Sequence, residues 1–255
     1  MRVDIYLYQN EYVKSRQKAK SLILSQNVKI DGKIIDKPSF EISEDCKHVV
    51  EIFNDCPYVS RGGLKLEAIL NHAKIDINDK ICLDIGASSG GFTDCLLQNG
   101  AKIVYAVDSG TNQLDPSLKN DARVVSYENL NARFLEKSLF NTLADVITID
   151  VSFVSQTLIM PSAFSLLLEN GLYVSLIKPQ FEAGRENIGK GGIVKDKKAR
   201  MMAVLRVIEC AKLFSFNCTH FIKSPILGGD GNVEYLAVFS KNAREINKEI
   251  IKDLI

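Results

Sequence analysis

Four ionisable side chains far apart in the chain, Lys65, Asp150, Lys178 and Glu234, have the types needed to activate a weakly acidic hydroxyl. An ammonium stabilises a developing alkoxide, while carboxylates position the lysines and govern their protonation. Deprotonation and in-line displacement would then need neither a metal ion nor a covalent intermediate on the protein. Lys178 follows an apolar run and precedes Pro179, Asp150 follows another such run, and Glu234 opens a third. Singly, each residue has a plainer reading: a solvated helix position for Lys65, a helix cap for Asp150, a surface charge for Glu234. The set says more than its members.

A small-residue loop, Gly86-Ala87-Ser88-Ser89-Gly90-Gly91-Phe92, follows the apolar run Ile81–Ile85 that contains Asp84. Small residues let the backbone approach a nucleotide-like ligand at the carboxyl edge of a parallel strand. The glycines do not fall in a GxGxxG pattern, and no Gly-Lys-Ser/Thr closes the loop. Asp108, twenty-two residues after Gly86, stands at the end of the next strand, where a carboxylate accepts ribose hydroxyls. An acid at Asp84 and the lack of a phosphate-binding lysine favour a ligand with a cationic amino-acid part. S-adenosylmethionine meets that description. The expected ligand set is Asp84, Gly86, Ala87, Ser88, Gly90, Gly91, Phe92, Asp108 and Asn131.

The type of methyl transfer can be narrowed from the strand ends. Asp150-Val151-Ser152-Phe153 is not the Asn/Asp-Pro-Pro-aromatic element that amine methylation favours. Carbon methylation of cytosine needs a cysteine nucleophile, and Cys95, Cys210 and Cys218 lie away from the fourth and fifth strand ends.

These residues need a scaffold. Strands are predicted at 81–85, 103–107, 124–127, 146–151, 172–177, 218–222 and 235–239, with helices at 64–73, 92–98, 156–168, 197–214 and 243–254. That alternation calls for a mainly parallel sheet with helices on both faces. Ahead of it, Ser15 caps a helix to Leu24, Val28–Ile35 reads as a hairpin turning at Asp31-Gly32, and 48–53 is a third strand. The expected division is 1–57, a linker at 58–63, and 64–255.

The 255 residues are 46% hydrophobic and 25% charged, a globular composition that excludes a disordered or collagen-like chain. Formal net charge is +1, so a polycation coating nucleic acid indiscriminately is excluded too. No apolar run approaches the ~18 residues of a membrane span, and no secretory signal opens the chain. Six scattered cysteines without a CxxC pair suit reduced thiols in a cytoplasm. Yet residues 1–37 hold eight basic against four acidic residues, and 185–200 is also basic. Glycines 184–192 are expected to form a mobile loop that closes over substrate.

Taken together, these motifs resemble the TlyA rRNA (cytidine-2′-O)-methyltransferases, relatives of the FtsJ-type ribose methyltransferases. The likeness rests on Ser60-Arg61-Gly62-Gly63-Leu64-Lys65-Leu66, residues 84–94, Lys178-Pro179-Gln180-Phe181-Glu182, 189–192 and Gly231-Asn232-Val233-Glu234. Residues 15–19 and 28–33 resemble the RNA-binding domain named after ribosomal protein S-four. The resemblance implies a Rossmann-like class I methyltransferase with a seven-stranded sheet, preceded by a small α+β RNA-binding domain. It implies S-adenosylmethionine as donor, no metal, no membrane, and a Lys-Asp-Lys-Glu tetrad falling on Lys65, Asp150, Lys178 and Glu234. Its implied partner is rRNA within ribosomal subunits, modified in the cytoplasm, with Arg16, Lys18, Lys20, Lys33, Arg61, Arg185 and Lys190 as the candidate RNA contacts. The chain is similar to the shorter members, which implies 23S rRNA as target, with 16S rRNA as the other possibility. Two further readings stay open: a non-catalytic RNA-binding assembly factor, and a membrane-lytic protein, since members of this family have been called haemolysins.

Overall fold

The computed structural model describes the chain except Lys14, Ser25, Asp45, Asn54 and Asp55, and the side chain of Ser21. Lys14, counted above among the basic residues, and Asp55, next to the expected domain break, lie outside the described residues. The chain divides into two compact units, Met1–Pro57 and Tyr58–Ile255.

In the first unit, helices α1 (Val3–Gln9) and α2 (Arg16–Leu24) pack with a three-stranded sheet of order β2-β1-β3 (Lys33–Ile34, Val28–Ile30, Val50–Ile52). Asp31 and Gly32 turn the hairpin with φ of 51° and 79°, the left-handed pair that such a turn requires. Ser15 caps α2 by accepting from the Lys18 amide at 3.1 Å. Sequence reading missed α1, which is tied down at a polar position. Asp4 is fully buried there and accepts from Arg2 and from Arg16 (3.2 Å). Burial pushes its carboxyl up, but the bonds from Arg2 and Arg16 outweigh this and hold it below the usual range.

The second unit is a seven-stranded sheet of order β6-β5-β4-β7-β8-β10-β9. Strands β4 (Ile81–Ile85), β5 (Ile103–Val107), β6 (Val124–Tyr127), β7 (Ala144–Ile149) and β8 (Leu167–Ile177) run parallel, and β10 (Tyr235–Lys241) lies antiparallel between β8 and β9 (Phe216–Lys223). The helices of this unit, in chain order, are α3 (Gly62–Ala73), α4 (Gly91–Gln98), α5 (Pro116–Lys119), α6 (Met160–Ser165), α7 (Pro179–Glu182), α8 (Lys197–Lys212) and a terminal α9 (Lys248–Leu254), and together they cover both faces. Continuous apolar strands follow from that double burial. The core runs from Leu83 and Ile85 through Ile147, Ile149, Tyr173 and Ile177 to Tyr235 and Phe239. Each such side chain, buried fully, contributes about 1.5–3 kcal/mol.

Several boundaries differ from the sequence reading. Residues 58–63, expected as a linker, are built into the second unit: Tyr58 is buried with its hydroxyl donating to Glu67, the Val59 amide donates to Asp94, and α3 starts at Gly62. The helix expected at 156–168 is a 3-10 turn (Gln156–Leu158) followed by the short α6, because Pro161 sits in the first turn and Leu167-Leu168 already belong to β8. The last helix, α9, spans only Lys248–Leu254.

Candidate active site

Because β10 is antiparallel, its first residue lies at the same edge where the parallel strands end. Tyr235 pairs with Ile177, so Glu234 and Lys178 flank one another just beyond the last rung of the ladder. Asp150 leaves β7 at that same edge, its amide donating to the Ile85 carbonyl at 2.9 Å. Lys65 reaches the edge from the first turns of α3. The four residues form two ion pairs. Lys65 Nζ lies 2.6 Å from Glu234 Oε2, with both residues buried. Lys178 Nζ lies 2.5 Å from Asp150 Oδ1 and donates to Ser152 Oγ at 2.9 Å. The second pair is more open, with side-chain exposures of 12% and 23% against 10% and 2% for the first.

Beside the pairs lies a cavity of about 430 Å3, a size suited to a small ligand. Its walls are Gly86–Ser89, Gly91 and Phe92 from the loop after β4, Asp150, Ser152 and Lys178 from the sheet edge, and Ser60–Gly62 with Lys65. Ile226, Leu227 and Gly229 close the remaining side. A small void of about 10 Å3, on the Asp108 side and also bordered by Ala87 and Ser88, is lined by Gly110, Gln113, Ser126 and Glu128. Asp108 itself accepts from the Ser88 amide (2.8 Å) and the Gly110 amide (2.7 Å).

The loop is compact because of its backbone. Gly86 has φ of +84°, and a Cβ on it would stand 2.3 Å from the Asp150 carbonyl oxygen. A Cβ on Gly91 would meet Ser60 Oγ at 2.2 Å. Both glycines therefore permit a close approach that a side chain would prevent.

Of the ligand set read from the sequence, Gly86, Ala87, Ser88, Gly91 and Phe92 line the cavity, and Asp108 lines the adjoining void. Three residues fall elsewhere. Asp84 is fully buried below the loop and accepts from Thr93 Oγ1 (2.7 Å) and Thr148 Oγ1 (2.9 Å), so it braces α4 and β7 without lining the cavity. Burial raises its pKa to about 6, against the two threonine bonds and reinforced by the Asp150 charge. Gly90 (φ +95°) packs on Leu118, which its Cβ would strike at 2.2 Å. Asn131 is exposed and caps a 3-10 turn by accepting from the Arg133 amide. Ser60, Ser89 and Ser152 stand within stretches singled out in the sequence but were given no place in the site, and the apolar wall of Ile226 and Leu227 went unnoticed because it carries no motif.

The basic candidates divide similarly. Lys20, Lys33, Arg185 and Lys190 are exposed. Arg16 is engaged with buried Asp4, and Lys18 Nζ donates to the Cys56 carbonyl at 2.6 Å. Arg61 lines the cavity. The glycine-rich stretch expected to be mobile is tethered at one end: the Asn232 side chain accepts from the Val194 amide and donates to the Gly192 carbonyl, both at 3.0 Å. Among the described residues no group of three or more His, Cys, Asp or Glu is placed to hold a metal ion, and no helix is long and apolar enough to cross a membrane.

Strand order, the glycine loop after the first strand and the acid at the end of the second define the α/β class of S-adenosylmethionine-dependent methyltransferases. Residues 58–241 match the FtsJ-like methyltransferase family, and residues 1–45 match the S4 domain. The chain belongs to the TlyA group of that methyltransferase family. It is 44% identical to Hemolysin A of Brachyspira hyodysenteriae over 94% of this chain and 99% of that protein. It is 36% identical to the 16S/23S rRNA (cytidine-2′-O)-methyltransferase TlyA of Mycobacterium tuberculosis over 100% of this chain and 95% of the relative. A solved structure from Streptococcus thermophilus, described as a candidate hemolysin, superposes with a TM-score of 0.78 at 41% identity, covering 100% of this chain and 94% of the other.

Proposed function

We propose that the protein transfers a methyl group from S-adenosylmethionine to the ribose 2′-hydroxyl of a cytidine in rRNA, acting in the cytoplasm on ribosomal subunits. The observation that carries this reading is the meeting of two lysine–carboxylate pairs at one wall of the cavity below the glycine loop. The cavity fits the donor: small residues form its floor, and Asp108 with Glu128 lies on the side suited to ribose hydroxyls. Gly86–Ser89, Gly91, Phe92 and Asp108 would hold it. When bound, it supplies an electrophilic methyl group.

The remaining chemistry belongs to the chain. Lys178, the more open lysine, faces the cavity and is the group to stabilise the oxygen of a ribose hydroxyl as its proton passes to the Asp150 carboxylate, which lines the same cavity. Asp150 and Ser152 fix the direction of Lys178 Nζ. Glu234 pairs with the largely buried Lys65 and orients it toward the same edge. Phe153, 92% exposed with φ of +63° and its ring 5.3 Å from that of Phe181, offers an aromatic face beside this edge. A nucleotide displaced from its helix would stack there. The S4 domain and the exposed Lys20 and Lys33 support RNA as the substrate.

23S rRNA is the proposed target. The relative named for both 16S and 23S rRNA aligns over the whole of this chain, so both RNAs belong in the assay. Purified protein, labelled donor and ribosomal subunits test the proposal: 2′-O-methylcytidine is expected in the rRNA, and its absence with intact donor binding would count against it.

A further inference from the structure

Glu182 lies in the short helix after Lys178, four residues on, and is 2% exposed. Its Oε2 accepts from Ser155 Oγ at 2.5 Å, and its Oε1 accepts from the Gln156 amide at 2.8 Å. Ser155 and Gln156 end the segment that leaves β7 directly after Asp150. The grip continues through Gln156, whose Oε1 accepts from Ser175 Oγ at 2.5 Å and whose Nε2 donates to the Leu176 carbonyl at 3.4 Å. On its other side, Arg206 donates to the Glu182 main-chain carbonyl at 2.8 Å, tying the helix to α8.

A carboxyl group taken out of water is expensive unless its bonds are complete. Burial pushes the Glu182 carboxyl up, against the bonds from Ser155 and Gln156 and the Arg206 charge. What the group fixes is the distance between two corners of the sheet edge. One corner carries Asp150 and Ser152; the other carries Lys178. Those are the groups that meet at Lys178 Nζ, at 2.5 and 2.9 Å.

We infer that Glu182 is a positioning residue: by clamping Ser155 and Gln156 against the β8 corner, it sets the Lys178–Asp150–Ser152 geometry. It acts through those two residues and not on the substrate. The inference rests on the reading of Lys178 as part of the reactive edge.

E182A, E182Q and S155A separate positioning from bulk stability. A small misplacement of reacting groups lowers rate far more than binding, so E182A should lose about tenfold or more in kcat, with the RNA KM and donor affinity within about twofold of wild type. E182Q keeps an oxygen for the Gln156 amide and an amide that Ser155 can accept from, so it should restore most of that loss. S155A removes one bond only and should fall between, which keeps the test open where E182A does not fold. A second readout is independent of turnover: the 15N NMR signal of the unmodified Lys178 side-chain ammonium, assigned with K178R, should shift in E182A and S155A and stay put in E182Q. An unshifted signal with unchanged kcat in S155A and E182A overturns the inference, as does an E182Q variant as impaired as E182A. If wild-type protein methylates no RNA, the substrate reading fails, and the Lys178 signal still decides the role of Glu182.

Discussion

The Asp150 carbonyl oxygen occupies the space a side chain on Gly86 would need, 2.3 Å from where that Cβ would stand. One backbone contact therefore joins the loop that lines the proposed donor cavity to the strand end that carries Asp150. Gly86→Ala must resolve both this clash and a φ of +84°. A loss of about 1–3 kcal/mol in unfolding free energy is expected, with weakened S-adenosylhomocysteine binding by calorimetry. Wild-type binding in a well-folded variant would show that the loop can move away from Asp150 freely.

The two ion pairs should respond differently to losing a lysine. Lys65→Met leaves Glu234, 2% exposed, without its cation, a situation that destabilises by about 3–5 kcal/mol. Lys65→Met with Glu234→Gln should recover most of that stability in chemical denaturation while remaining inactive. Lys178→Met, in the more open pair, should abolish methyl transfer with a far smaller change in stability.

Asp84 gives a pH signature. Its carboxyl is raised from 3.8 to about 6 in the folded protein, so between those values the folded state binds more protons than the unfolded one. Stability contributed at this site should fall as pH rises from about 4 to 6, by a total on the order of 3 kcal/mol, and level off above. Asp84→Asn removes that dependence. Its stability relative to wild type should rise across the window in denaturant titrations, and a constant difference would contradict the assignment.

Much of this architecture can be read from the sequence, for a physical reason. Strands covered on both faces are largely apolar, which is why β4, β5 and the ends of β7, β8 and β10 are visible without any structure, while the half-exposed edge strand β6 shows through its Val124-Val125 pair. Lys65, Asp150, Lys178 and Glu234 are legible because each stands beside such a run or a glycine motif. Side-chain direction is not. An acid next to a glycine loop looks like a ligand, yet Asp84 turns inward because Thr93 and Thr148 await it on α4 and β7. Asn131 spends its oxygen on a turn. Ser152 and Glu182 matter through partners more than twenty residues away, and no local pattern announces such bonds. In the first unit, α1 escaped because its polar Asp4 faces the interior, held by Arg2 and Arg16.

Phe153 should affect RNA and leave the donor alone. Base stacking on an aromatic ring contributes about 1–3 kcal/mol per base. Phe153→Ala should lower kcat/KM for RNA correspondingly, with donor affinity unchanged. Its unfolding temperature should not fall, because the ring is 92% exposed.

Charge changes in the first unit should separate into two groups. Lys20→Ala and Lys33→Ala, both exposed, should weaken RNA binding and each reduce the salt dependence by about one unit of slope. Arg16→Ala removes one of the cations that hold buried Asp4 and should lower the melting temperature as well.

Nucleoside mass spectrometry of rRNA methylated by the purified protein reaches the central claim most directly. The expected product is 2′-O-methylcytidine, formed by wild type and lost in Lys178→Ala at unchanged donor affinity. A methyl group on a base, or undiminished product from Lys178→Ala, would contradict a reactive edge built from two lysine–carboxylate pairs.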